Sequence, residues 1–240
     1  MEKEMPYQSL AEIYDLVYSW KDYEKEANKV RALIKKYKKS KGNDLLEVAC
    51  GTGKHLQYMK QWFNCTGVDL SQKMLDVAKK NVKGVEFRKA DMTTLNLNKQ
   101  FDVVSSLFSS IGYVKTYKNL EKTIHNFSMH LKTGGIVIIE PWFTKGNYRS
   151  GSVHMVTYDG KDTKIARLNT TKAVGNLSIM DMHYLVAQSG KEIRHFVDRH
   201  ELGLFDTDKI LQYMTEAGLQ AKYTKNGLMK GRGLFIGIKK

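Results

Sequence analysis

Glu47, Gly51, Gly53 and Asp69 carry the first chemical signal in this chain. Residues 45–53 read L-L-E-V-A-C-G-T-G, and Val68-Asp69 closes the next apolar run. A strand, a glycine turn and a strand-end carboxylate in that order make a nucleoside site. The glycines let the chain turn sharply and leave bare backbone for a ligand, while the carboxylate accepts both ribose hydroxyls. A phosphate-binding loop would need glycine at position 48 and Ser or Thr at 55, where Val48 and His55 stand. A dinucleotide site prefers a third glycine where Leu56 lies, and Glu47 would repel its pyrophosphate. S-adenosylmethionine carries a sulfonium and an ammonium and no phosphate, so Glu47 suits it electrostatically. A tight turn without a ligand is the plain alternative, and the ordered set of residues argues against it.

Ligands of a wound parallel sheet gather at the carboxyl ends of its strands. The expected cofactor contacts are therefore Glu47, Ala49, Gly51, Gly53, His55 and Leu56 around the first turn and Asp69, Leu70 and Met74 after the second strand. Ala90, Asp91 and Met92 follow the third strand, and Leu107 and Phe108 the fourth. Asp69 could instead cap the next helix, but Ser71 already fills that place. Asp91 can bond an adenine amino group while Met92 packs on the ring, or it can cap a turn. The segment Ser105–Tyr113 leaves the fourth strand where a transferred methyl should lie. It lacks the N/D-P-P-Y/F sequence of enzymes that methylate nucleic-acid amino groups, since the chain's prolines are Pro6 and Pro141. Cys50 and Cys65 are poorly placed for a thiol nucleophile, and the histidines show no ligand spacing with nearby acids, so no metal is expected.

The elements that must position these residues are legible in the pattern. Helical stripes run over 7–18 (Leu10, Ile13, Tyr14, Val17, Tyr18) and 22–39 (Ala27, Val30, Leu33, Ile34, Tyr37). Strand, turn and helix then alternate: 44–49, 54–61, 63–69, 72–80, 85–89, 101–107, 117–131 and 135–142, the last opened by Gly134-Gly135. That order predicts a doubly wound, Rossmann-like α/β sheet. After Phe143 the segments 153–158, 163–174, 177–188 and 191–203 alternate apolar and polar residues between turn sequences such as Asp159-Gly160 and Ser189-Gly190, which reads as hairpins. A last helix, 206–217, and strands 219–224 and 233–239 follow. The domains expected are a cofactor-binding core with N-terminal helices, 1–143, an antiparallel β insertion before the last helix, 144–204, as cap or dimer surface, and closing elements, 205–240.

With 240 residues, 42% hydrophobic and 27% charged, the chain reads as a soluble globular protein. No run is long enough to span a bilayer, and the start M-E-K-E-M-P lacks a leader's apolar stretch, so the expectation is cytoplasmic, with no membrane partner. A net charge of +14 raises the question of nucleic acid. The Lys35–Lys41 cluster at a helix end is better explained as solvated cations meeting the helix dipole, so a nucleic-acid partner is not expected. The basic stretch Lys222–Lys240 could face an anionic substrate.

The motif E-x-x-C-G-T-G resembles motif I of class I methyltransferases. Further stretches, A-E-I-Y-D at 11–15, K-D-Y at 21–23, A-D-M at 90–92, F-S-S-I-G at 108–112, I-E-P-W-F at 139–143 and G-R-G-L-F at 231–235, make the chain resemble the bacterial nucleotide-sugar N,N-dimethyltransferases of desosamine and mycaminose formation. The resemblance implies an S-adenosylmethionine-dependent enzyme, releasing S-adenosylhomocysteine, that methylates a small-molecule amine on a nucleotide-linked sugar and forms a homodimer. It implies catalytic roles for Tyr14 and Tyr113, cofactor contacts from Tyr14 and Tyr23, and a substrate side formed by Ser109, Ser110, Glu140, Trp142 and Arg232, the arginine facing a pyrophosphate. Tyr14 could equally be a core tyrosine, and Trp142 could pack beneath the insertion. One departure stands out: the family places histidine after S-S-I-G, and this chain has Tyr113, a poor base at neutral pH.

Overall fold

Leu45, Leu46 and Val48 are all buried, as a strand covered on both faces requires. They belong to β1 (Asp44–Val48), the middle of a sheet in the computed structural model, which describes residues 7–240. The start of the chain, read above as no leader, lies outside the described residues. β1 pairs in parallel with β2 (Asn64–Asp69) on one side and β4 (Phe101–Ser106) on the other. β3 (Glu86–Lys89) and β5 (Leu131–Ile139) extend the parallel array, and β11 (Leu219–Thr224) and β12 (Leu234–Lys239) complete the order β11-β12-β5-β4-β1-β2-β3. β12 runs antiparallel to both of its neighbours. The helices α1 (Tyr7–Val17), α2 (Tyr23–Tyr37), α3 (Lys54–Met59), α4 (Gln72–Asn81), α5 (Tyr117–Met129) and α6 (Thr207–Glu216) cover this sheet. The order reverses beside β1 and β4, the place where wound sheets leave a crevice for ligands.

The insertion forms its own antiparallel sheet. β6 (Val153–Asp159), β7 (Thr163–Thr170), β9 (Leu177–Gln188) and β10 (Arg194–Gly203) lie in the order β10-β9-β7-β6, with β8 (Lys172–Val174) also paired to β9. Its inner face packs on α1 through Leu10, Ile13, Val17, Ile165, Met180, Met182 and Tyr184.

Two boundaries differ from expectation. The fifth strand opens at Leu131, not Gly135, because the chain pairs Leu131 with Phe101 at once and then bulges at Gly134, where φ is +76°. It stops at Ile139, before Pro141, which has no N–H to donate. The expected strand 163–174 breaks at Thr171, whose hydroxyl donates to the carbonyl of Arg149 at 2.7 Å. Among the described residues, no helix is long and apolar enough to cross a membrane.

Candidate active site

The turn after β1 is left-handed at Ala49 (φ +59°) and Gly51 (φ +54°), and a Cβ on Gly51 would meet nothing within 4 Å. Gly51 is therefore bare backbone facing open space. Gly53 differs: a Cβ there would press on Val82, Ala78 and Phe87 at 3.2–3.4 Å, so this glycine lets α3 pack closely. Leu56 and Leu107, both expected as cofactor contacts, are buried in the core, and Met74, expected as another, lies in the contact between α4 and α1. Asp69 ties the turn to β2. Its Oδ2 accepts from the Gly51 N–H and its Oδ1 from the Ser71 N–H, both at 2.8 Å, while burial pushes its carboxyl up. A carboxylate has about four lone-pair sites, so acceptor capacity remains. Leu70 beside it is exposed.

Beneath the turn lies a chain of buried charges. Lys21 Nζ donates to Glu26, whose Oε2 meets His55 Nε2 at 2.8 Å; His55 Nδ1 meets Glu47 Oε1 at 3.3 Å. A carboxylate on each ring nitrogen requires protons on both. Burial alone would depress His55, but the hydrogen bonds it donates to Glu26 and Glu47 outweigh it and hold its pKa up at about 9. Glu47 Oε2 is buried with no hydrogen-bond partner among the described residues. Tyr23 lies edge-on to His55. An orphaned anionic oxygen, bare glycine backbone and a fixed carboxylate with spare acceptors together fit a cationic nucleoside. Asp91, after β3, is exposed, and its Oδ1 accepts both the N–H and the hydroxyl of Thr93 at 2.8 Å, so the turn cap is the role seen. Ala90 and Met92 lie half-buried against the core.

Where β4 ends, a cavity of about 540 Å³ opens under the inner face of the second sheet. Phe108 and Ser109 line it in consecutive left-handed conformations, φ +53° and +63°, a strain of about 1–3 kcal/mol each that the surroundings must hold. Glu140 holds it: its Oε2 accepts from the Phe108 N–H at 2.7 Å and its Oε1 from the Met229 N–H at 3.2 Å. Glu140, expected on the substrate side, is fully buried behind the loop and is not among the residues lining the cavity. Ser109 Oγ donates to the Pro141 carbonyl and accepts from Arg232, whose guanidinium lies 4.5 Å from the Trp142 ring centre. Ser110, Trp142, Arg232 and Tyr14 all line the cavity. Burial raises the Tyr14 phenol well above its usual range.

The comparisons agree with this geometry. Residues 45–135 match the family model described as a methyltransferase domain. The chain is 37% identical to the dTDP-3-amino-3,4,6-trideoxy-alpha-D-glucopyranose N,N-dimethyltransferase of Streptomyces venezuelae, covering 95% of this chain and 97% of that one. It is 32% identical to the dTDP-4-amino-2,3,4,6-tetradeoxy-D-glucose N,N-dimethyltransferase of Saccharopolyspora spinosa, over 95% of this chain and 92% of that one. The chain belongs to the nucleotide-sugar N,N-dimethyltransferase family. The crystal structure of Streptomyces venezuelae DesVI superposes with a TM-score of 0.91 at 35% identity, covering 99% of this chain and 100% of that one. The S-adenosylmethionine-bound amino pentose methyltransferase CalS10 of Micromonospora echinaspora superposes at 0.85 with 26% identity over the whole of both chains. This is a class I, S-adenosylmethionine-dependent methyltransferase.

In this methyltransferase Tyr113 belongs to a 3₁₀ turn, Ser110–Val114, and its hydroxyl lies 2.5 Å from His200 Nδ1 on β10. Gly112 allows the approach, since a Cβ there would strike Leu202 and Trp142. Sequence reasoning missed His200, and with it Arg149, Arg167 and Asn169, which also line the cavity. Arg167 and Asn169 on β7 and Thr171 just after it are buried polar residues spaced by two. That alternation was the available signal: a polar face pointing inward in a strand marks a ligand and not a core.

Proposed function

We propose that this methyltransferase methylates the amino group of a nucleotide-linked amino sugar. One observation carries the reading: the cavity wall presents Arg149, Arg167 and Arg232 among aromatic rings, and no carboxylate among the described residues that line it. Arginines on low-dielectric walls suit a diphosphate, and the aromatic faces suit a base or sugar ring. The relatives' amino-sugar substrates and the family's coverage of the whole chain support the same class.

S-adenosylmethionine, when bound, supplies an electrophilic methyl on sulfonium. Gly51, Asp69 and Glu47 would hold its nucleoside and cationic parts. Tyr14, Phe108, Ser109 and Trp142 confine the amine and exclude water. Alignment of this kind is worth up to about 7–11 kcal/mol, against roughly 3–5 kcal/mol for general-base help, so positioning carries most of the barrier reduction. In this reading residues 1–143 with 205–240 form the catalytic unit and 144–204 its cap.

The outer face of the cap carries Met155, Leu168, Leu185 and Val197, all exposed on neighbouring strands. A second copy of the chain covers this face in the proposed homodimer; Leu185→Glu should then halve the mass by light scattering, and an unchanged mass would discard this surface. The compartment proposed is the cytoplasm, to be checked by fractionation. The substrate test is an amino-sugar nucleotide panel run beside free amino sugars and simple amines, read by mass spectrometry for one or two added methyls. Equal transfer to acceptors without the nucleotide would overturn the substrate class.

A further inference from the structure

An ammonium has no lone pair, so an amine must shed a proton before it can attack a methyl, and must shed another before a second transfer. Tyr113 alone is a poor acceptor for that proton. It is not alone. His200 Nε2 lies 2.8 Å from Asp198 Oδ2 as a charge pair without a hydrogen bond between them, and both atoms are buried with no other hydrogen-bond partner among the described residues. A carboxylate only accepts, so Asp198 at this distance favours the tautomer with the proton on Nε2, which leaves Nδ1 free to accept from the Tyr113 hydroxyl. Asp198, His200 and Leu202 occupy alternate, inward positions of β10, while Arg199 and Glu201 point outward, where they pair with Asp181 and Lys115. Tyr184 of β9 and Tyr18 feel the Asp198 charge, Arg167 of β7 donates to the Tyr18 hydroxyl, and Tyr14 lines the same cavity as Tyr113. His154, the other histidine lining the cavity, is exposed on β6.

The geometry points to a proton path that leads from the acceptor amine through the Tyr113 hydroxyl to His200, with Asp198 positioning the imidazole. This rests on the reading of the acceptor as an amine. The ammonium N–H bond breaks and the nitrogen keeps its electron pair. Tyr113 Oη gains that proton while passing its own to Nδ1, so no free phenolate forms. His200 becomes an imidazolium held by Asp198 and later returns the proton to water. The freed pair on nitrogen forms the N–CH₃ bond as the carbon–sulfur bond breaks. Tyr113 is the catalytic contact; His200 acts through it, and Asp198 is a positioning residue.

Two measurements on the full chain test this. Side-chain nitrogen NMR of the histidines should show His200 as the Nε2–H tautomer at high pH, with its Nδ1 resonance moved by Tyr113→Phe; an Nδ1–H tautomer overturns the path whatever the activity. In pH profiles of kcat/KM, His200→Gln and Tyr113→Phe should each cost at least about tenfold at pH 7 and no more than about threefold near pH 9.5, where solvent deprotonates the amine. Asp198→Asn should show the same crossover at smaller amplitude, and the Tyr113→Phe, His200→Gln pair should be no worse than either alone. A loss equal at all pH values, or none, overturns the path, with unchanged S-adenosylhomocysteine affinity as the check on folding. No turnover by the unmodified chain on any amine overturns the functional reading itself, whereas turnover with unmoved profiles overturns the path alone.

Discussion

Raising the pH from 6 to 10 should remove the charge that holds Glu26 and Glu47 together. His55 is almost fully buried between them and its pKa stands at about 9 in the folded chain, against about 6.5 when unfolded. A group whose pKa is raised by folding contributes its full stabilisation below the unfolded value and loses it as the pH climbs through the folded one. The gap of roughly 2.5 units corresponds to about 3 kcal/mol, present at pH 6, declining from pH 6.5 onward and gone by pH 10. Urea unfolding followed by circular dichroism, on the natural chain and on His55→Gln at pH 6, 7.5, 9 and 10, isolates this contribution from other titrations. The stability difference between the two proteins should narrow by about 3 kcal/mol across the series. Parallel curves would refute the reasoning, because they would mean that His55 is neutral in the folded chain and a carboxyl carries the proton instead.

Removing the Asp69 carboxylate by Asp69→Ala should weaken S-adenosylhomocysteine binding about tenfold or more by calorimetry, since ribose acceptors and the tie to Gly51 go together; unchanged affinity would take Asp69 out of the site. Tyr14→Phe should slow turnover while leaving S-adenosylhomocysteine affinity nearly intact, and a large loss of affinity would move Tyr14 from the reacting amine to the cofactor. Glu140→Ala should destabilise the fold by about 1–3 kcal/mol in thermal melts, because it leaves the partly buried Phe108 and Met229 N–H groups without their acceptor and releases the left-handed loop; a melting temperature within a degree of the natural chain would show that the loop holds itself.

The core of the fold was legible because each of its rules is local. Strand, glycine turn and helix repeat from Asp44 onward, and Ser71 caps α4 by accepting from the Met74 N–H, as its position before an apolar stripe suggests. The same locality explains where side chains turned out to be packed differently. Gly53, Leu56 and Leu107 sit within a few residues of the ligand crevice along the chain, yet their direction is set by α4, β2 and β3 packing against them, and no spacing rule reports that. Glu140 and Trp142 are two residues apart in one short motif and would share a face in a strand, but β5 ends at Ile139 and Pro141 redirects the chain between them, so one reaches the cavity and the other braces it from behind. The acceptor side was the least legible part because it is built across distance. Tyr113 and His200 are 87 residues apart and meet only once the cap folds over the end of β4. The sequence of β10 does show Asp198, His200 and Leu202 on one face, but Arg199 and Glu201 make the other face equally polar, so alternation alone cannot say which face looks inward. Gly112 decides it, since only a residue without a Cβ lets the turn after β4 press against Leu202 and bring the tyrosine to the histidine. Replacing Gly112 with alanine should therefore disturb turnover and the His200 resonances together, while the cofactor turn at Gly51, on the far side of β4, keeps its S-adenosylhomocysteine affinity; a loss of affinity equal to the loss of turnover would mean that the two halves of the site are one mechanical unit.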